Sequence, residues 1–160
     1  MPQSLIASLK QIISRKPLLF LFISLGYLIL VGFFKWYIHP PLDALWFVLG
    51  GVIGVYLLDA AEVFVAINPS PFRSVVFAGA FVVLSLFVVT SANSMLANGL
   101  VLSLYLTMLL WQLGQWQIAG NLNTWYRMVV GPVSVSRQKW GMIIFAVFFF
   151  VETLLFLRWS

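Results

Sequence analysis

Residues 42–67, LDALWFVLGGVIGVYLLDAAEVFVAI, decide the fold of this chain. The run is long and apolar enough to cross a bilayer as one helix, which takes about 20 residues. It carries Asp59 and Glu62, two of the four acidic residues in the chain, three positions apart and therefore on one helical face. The opposite face holds Gly50, Gly54 and Ala61, small residues that let a second helix backbone come close inside a membrane. One helix thus has a packing side and an ionisable side. Gly50-x-x-x-Gly54 serves contacts inside one chain as well as contacts between copies, and the former is the expectation here.

Composition supports the bilayer as solvent. Of 160 residues, 62% are hydrophobic and 8% charged, and the mean hydropathy is +1.05, whereas about a quarter of a soluble domain is charged. The apolar runs are close to 20 residues without strict alternation, so the spans are helices rather than barrel strands. With no Cys and a single His, disulfides, thiolate metal sites, CxxC pairs and His clusters are excluded. No metal and no cofactor is expected. The net charge of +5 comes from cations at the ends of apolar runs, a membrane pattern and not a nucleic-acid surface.

Working outward, residues 3–15 read as a short amphipathic helix. Leu5, Ile6, Leu9, Ile12 and Ile13 share one face, and Ser4, Ser8, Lys10, Gln11, Ser14 and Arg15 cover the other, so the segment is expected in the head-group region. No A-x-A-like site follows the next apolar run, which reads as an uncleaved anchor. Residues 1–16 therefore form a cytoplasmic amphipathic segment, and 17–160 a single transmembrane domain. The fold class is all-α: five transmembrane helices, at about 18–34, 42–67, 73–89, 100–119 and 141–157, preceded by the interfacial helix. All seven prolines fall outside the span centres, as the missing N–H and the ring require. The TSANS stretch and Asn98-Gly99 are expected to form the loop before the fourth span. That span ends in the polar WQLGQWQ, and residues 120–140 form the longest non-spanning segment.

Lys10, Arg15, Lys16, Arg73, Arg127, Arg137 and Lys139 fall on one side of this topology and Lys35 and Arg158 on the other. The positive-inside rule puts the N-terminus in the cytoplasm and the C-terminus outside. The expected location is a prokaryotic plasma membrane.

Each polar feature has a functional and a structural reading. Asp59 and Glu62 would form a proton or cation site facing a cavity, or would be matched by Arg73 or Arg127 near the interface. Glu152 would pair with Lys35 or Arg158 or reach the outer interface. Tyr105, Gln112, Gln115 and Asn123 share one side with Met108 and would line a polar pathway or join helices. Arg127, Arg137 and Lys139, with Trp125, Tyr126 and Trp140, would hold an anionic lipid or form an ordinary basic and aromatic collar. Ser134 or Ser136 would cap the last helix. His39, beside two prolines, is expected in a short outer loop.

No catalytic residue is assigned: G-x-S-x-G, H-E-x-x-H, Walker A, G-x-G-x-x-G and paired-aspartate patterns are all absent. The favoured expectation is a non-enzymatic helix-packing subunit or homo-oligomer. The alternatives are a small carrier or channel using Asp59 and Glu62, and a lipid-binding or lipid-modifying protein. The partners expected are the bilayer, other membrane subunits or a second copy, and an anionic lipid.

Overall fold

The computed structural model describes residues 2–14, 16–37, 41–65 and 70–158. Among them every regular element is helical: α1 (Pro2–Ser14), α2 (Leu18–Trp36), α3 (Ala44–Val65), α4 (Val75–Ser91), α5 (Met95–Ala119) and α6 (Val135–Arg158), with a 3-10 turn at Pro71–Arg73. Arg15, His39, Pro69 and the last two residues of the expected 42–67 span, on which parts of the sequence reading rest, lie outside the described residues, as do the side chains of residues 2–6, Leu9 and Val65. Helices α2, α3, α5 and α6 are each long and apolar enough to cross a membrane, while α4 is a shorter apolar helix of 17 residues.

The bundle is organised around α5, not α3. Two thirds of its apolar window (67%) is buried, against 22% for α2 and 28% for α6, and Val101–Leu109 is buried without interruption. A helix covered on all sides is apolar all round and leaves no amphipathic stripe. Every other long helix packs against it. This corrects the loop expected at Asn98-Gly99: Ser94 caps α5, its hydroxyl accepting from the Ala97 N–H at 3.2 Å, and both Asn98 and Gly99 are helical and buried. Gly99 serves close approach rather than a turn, because an added Cβ would run into the Phe47 carbonyl of α3.

The same contact explains two glycines of α3. A Cβ at Gly50 would strike the Leu96 carbonyl oxygen, and one at Gly54 the Leu100 carbonyl oxygen, with Ser103 beside it. Successive turns of α3 thus meet successive turns of α5 in the same order, so the two helices run parallel with their backbones in contact. Gly51 receives Leu28 of α2. Ala61, two turns beyond Gly54, is half-buried.

Aromatic rings fill the rest of the core. Phe47 stacks on Phe156 with ring centroids 5.0 Å apart, and Trp36 meets Phe47 edge-on at 5.7 Å. Further along, Tyr105 lies 4.3 Å from Phe145 and 5.4 Å from Phe149, and its hydroxyl donates to the Phe145 carbonyl at 2.9 Å. Phe145, Phe149, Glu152 and Phe156 recur every three or four residues and form the buried stripe of α6.

That stripe corrects the expectation for Glu152. The residue is 0% exposed and turned inward, where the Ser85 hydroxyl of α4 lies 3.0 Å from its carboxyl. Among the described residues it has no ion-pair partner. The Lys35 ammonium instead donates to the Phe156 carbonyl and sits over the Phe156 ring, 3.8 Å from its centroid. Beside Glu152, Tyr27 of α2 and Thr153 share a hydrogen bond of 2.8 Å.

The segment between α5 and α6 is shorter than expected, because Ser134 starts α6 before Trp140, its hydroxyl accepting from Arg137 N–H at 3.4 Å. Gly120, left-handed at φ 66°, ends α5. The chain then folds back over the bundle end, where Leu122 and Trp125 are buried. Gln138 pins it: its carbonyl oxygen accepts from Leu122 N–H at 2.6 Å, and its amide donates to Asn123 at 2.7 Å and to the Val133 carbonyl at 2.9 Å.

Candidate functional site

The end of the bundle that carries this folded segment also gathers the N-termini of α2 and α4 and the C-termini of α3 and α5. In a bilayer such an end would lie near the head groups and not at the membrane centre, where polar side chains cost most. Asp59 is six residues from the end of α3, about 9 Å at 1.5 Å per residue.

Four charges meet at this place. Lys16, just ahead of Pro17 and the first turn of α2, puts its ammonium 3.1 Å from Asp59 Oδ2, and both side chains are 1% exposed. Glu62, one turn on, takes a fork from Arg73: Nε donates to Oε1 at 2.8 Å and Nη2 to Oε2 at 2.9 Å. This two-point geometry is the strong form of an arginine–carboxylate contact. The Ser70 hydroxyl donates to Glu62 Oε1 at 2.8 Å, and Arg73 Nη2 also approaches Asp59 at 3.8 Å. Pro71–Arg73 is held by Ser74, whose hydroxyl donates to the Pro71 carbonyl at 2.7 Å and accepts from Phe77 N–H at 3.1 Å. The turn that carries Arg73 is therefore locked to the cap of α4.

Aromatic faces complete the cluster. The Arg73 guanidinium stacks on Trp111, 3.8 Å from its centroid, and the Lys16 ammonium stands 4.2 Å from the Phe20 ring and 5.3 Å from Trp111. Such contacts partly replace the water a buried cation gives up. Burial still pushes the Lys16 ammonium below its ordinary value, the largest influence, while the Asp59 carboxylate pulls it back up.

The cluster forms one wall of a cavity of about 800 Å³. Asp59, Glu62, Ser70 and Arg73 line it on one side, Trp111, Gln115 and Ile118 of α5 on another, and Thr124, Trp125, Arg127 and Met128 roof it from the folded segment. The structure thus brings Asp59, Glu62, Gln115 and Arg127 to one space. It does not bring Arg137 and Lys139 there; both are exposed on the first turns of α6. Tyr105, Gln112 and Asn123 are separated from the cavity as well. Tyr105 is deep in the core, Gln112 lines a different space, and Asn123 is held by Gln138.

The charges do not balance. Lys16 and Arg73 are matched by Asp59 and Glu62, whereas Arg127, exposed on the cavity roof, has no ion-pair partner among the described residues. The surplus is positive, and Ile118 (90% exposed) and Met128 (58% exposed) add apolar surface to the lining.

Lys16 and Ser70 were missed as site residues in the sequence. In the sequence Lys16 reads as one more cytoplasmic cation, and its place next to Pro17 at the start of a span is the signal that it sits at the bundle end. Comparison with protein-family models, curated proteins and solved structures finds no match to this chain.

Proposed function

We propose that this chain is a non-enzymatic multi-pass membrane protein whose helix packing builds a binding site for an anionic lipid head group. The observation that carries the reading is the 800 Å³ cavity at one bundle end, in which Arg127 is left over after Lys16 and Arg73 are matched. A phosphate there would meet Arg127 and the unshared edge of Arg73, and the lipid body would run along Ile118 and Met128. Arginine suits phosphate through its planar fork of donors.

A cation carrier using Asp59 and Glu62 has less support, because each carboxylate already has a cation within 3.1 Å and an incoming cation would have to displace it. A packing subunit draws no support from Gly50 and Gly54, which face α5 of the same chain, and rests only on how few polar groups the chain carries. In this reading α4 crosses as well: 17 residues make about 25 Å, at the short end of the range for a span. The chain then has five spans. The cavity end, with Lys10, Lys16, Arg73 and Arg127, faces the cytoplasm, where anionic lipids concentrate, and the α1 segment lies at the interface.

Lipid extraction after purification in mild detergent tests the proposal. Wild-type protein is expected to retain anionic over zwitterionic lipid relative to the source membrane, and Arg127→Gln to lose the enrichment. Retained lipid that mirrors the membrane in both proteins would overturn it.

A further inference from the structure

Between α4 and α6 lies a second space, a groove of about 290 Å³. Its walls are Ala78, Gly79 and Val82 of α4 and Met142, Phe145 and Phe148 of α6, and the buried ring of Trp125 separates it from the charged cavity. Its back is Gln112 of α5. That side chain is 5% exposed, yet makes no hydrogen bond among the described residues. At one edge Tyr126 lines the groove, its hydroxyl resting where a side chain at position 141 would otherwise be, which is why Gly141 is bare. Burial pushes the Tyr126 phenol up, so it stays a donor.

An apolar slot with one amide at its back that has no protein partner and is reached only from the groove is an incomplete environment, since a polar group away from water normally has a partner. What completes it is a molecule that is narrow and apolar along its length and carries a hydrogen-bond acceptor at one point. The side-chain face of another helix does not meet that description: it is too broad for 290 Å³, below the usual range of roughly 300–1,000 Å³ for ligand pockets. A fatty-acyl chain with its ester carbonyl does.

We infer that the groove between α4 and α6 is a seat for one acyl chain of a membrane lipid, with the chain against Gly79, Val82 and Phe148 and the ester carbonyl accepting from the Gln112 amide. Gly79 leaves room for it, because an added Cβ there meets nothing within 4 Å. The seat uses the chain and the ester of a lipid and needs no anionic head, so it stands apart from the charged cavity.

Photolabelling in nanodiscs tests it, with a zwitterionic phosphatidylcholine whose acyl chain bears a diazirine near the ester. In the wild type, adducts are expected to concentrate on α4 and α6 residues of the groove, several-fold above the lipid-facing residues of α2. The Gly79→Leu variant fills the slot and is expected to lose that excess, Gly79→Ala to keep most of it, and Gln112→Leu to lower it. Arg127→Gln is expected to label as the wild type does, even if anionic lipid retention is lost. Even labelling of all lipid-facing helices in the wild type would overturn the inference without recourse to any variant, as would undiminished groove labelling in folded Gly79→Leu.

Discussion

The ammonium of Lys16 stands 3.1 Å from the carboxylate of Asp59, and both side chains are 1% exposed. The pair joins the segment ahead of α2 to the last third of α3 across the base of the bundle. Removing one member of such a pair strands the other, at a cost of about 3–5 kcal/mol, whereas neutralising both leaves no orphan. Arg73, 3.8 Å from Asp59, softens the loss. Lys16→Met is expected to destabilise by about 3 kcal/mol, the low end of that range, and Lys16→Met with Asp59→Asn to recover most of it. Denaturant unfolding in mixed micelles measures both.

Where α3 meets α5, no side chain fits. A Cβ at Gly50 or Gly54 collides with backbone carbonyls that cannot rotate away. Gly50→Ala is therefore expected to cost about 3 kcal/mol or more, above the usual range for overpacking. Gly26→Ala is the control, since nothing lies within 4 Å of its Cβ. The thermal midpoints of the two purified variants provide the comparison, and equal midpoints would contradict the packing described.

Gln138 makes three hydrogen bonds from a site 1% exposed. Leucine in its place would leave Leu122 N–H without its partner, at about 1–3 kcal/mol for a buried donor. The folded segment over the cavity is expected to loosen first, so Gln138→Leu should be cut within 120–134 by protease at a dose that leaves the wild type intact.

The Ser85 hydroxyl has one hydrogen and two neighbours, the Val82 carbonyl at 3.1 Å and Glu152 at 3.0 Å. The two acceptors share that hydrogen unless the group at position 152 brings one of its own. Glutamine supplies one, so Glu152→Gln is expected to stay within about 1 kcal/mol of the wild type, the net worth of a hydrogen bond. Glu152→Ala empties a fully buried site and is expected to cost about 2 kcal/mol or more. Unfolding in micelles separates the two.

The helices were legible because each apolar run is bounded by proline, charge or a capping serine, signals that depend on local chemistry. The ends expected after Pro17 and before Gly120 are kept, whereas α5 starts at Met95, ahead of the expected residue 100, because Ser94 caps it. The rank of the helices was not legible. The polar end of α5 hides how central the helix is: Gln112 and Gln115 face cavities inside the bundle, while Gln117 is exposed near the helix end. Asp59 and Glu62 stood out at once, and Arg73 was among their named partners. Lys16 was not, because nothing local shows that the start of α2 returns beside the end of α3. The spacing of Glu152 with Phe145, Phe149 and Phe156 marks it as inward-facing, a stronger signal than the nearness of Lys35 and Arg158.

The most direct test of the anionic-lipid reading is thermal unfolding of the micellar protein during titration with phosphatidylglycerol or phosphatidylcholine. Lipid at about 100 times its Kd would stabilise the folded state by about 2.7 kcal/mol, or roughly 5–10 °C for a chain of this size. The expected result is a rise of that order with phosphatidylglycerol over and above any rise with phosphatidylcholine, the difference being reduced by salt and absent in Arg127→Gln. An equal rise with both lipids, or one that Arg127→Gln leaves intact, would contradict the account.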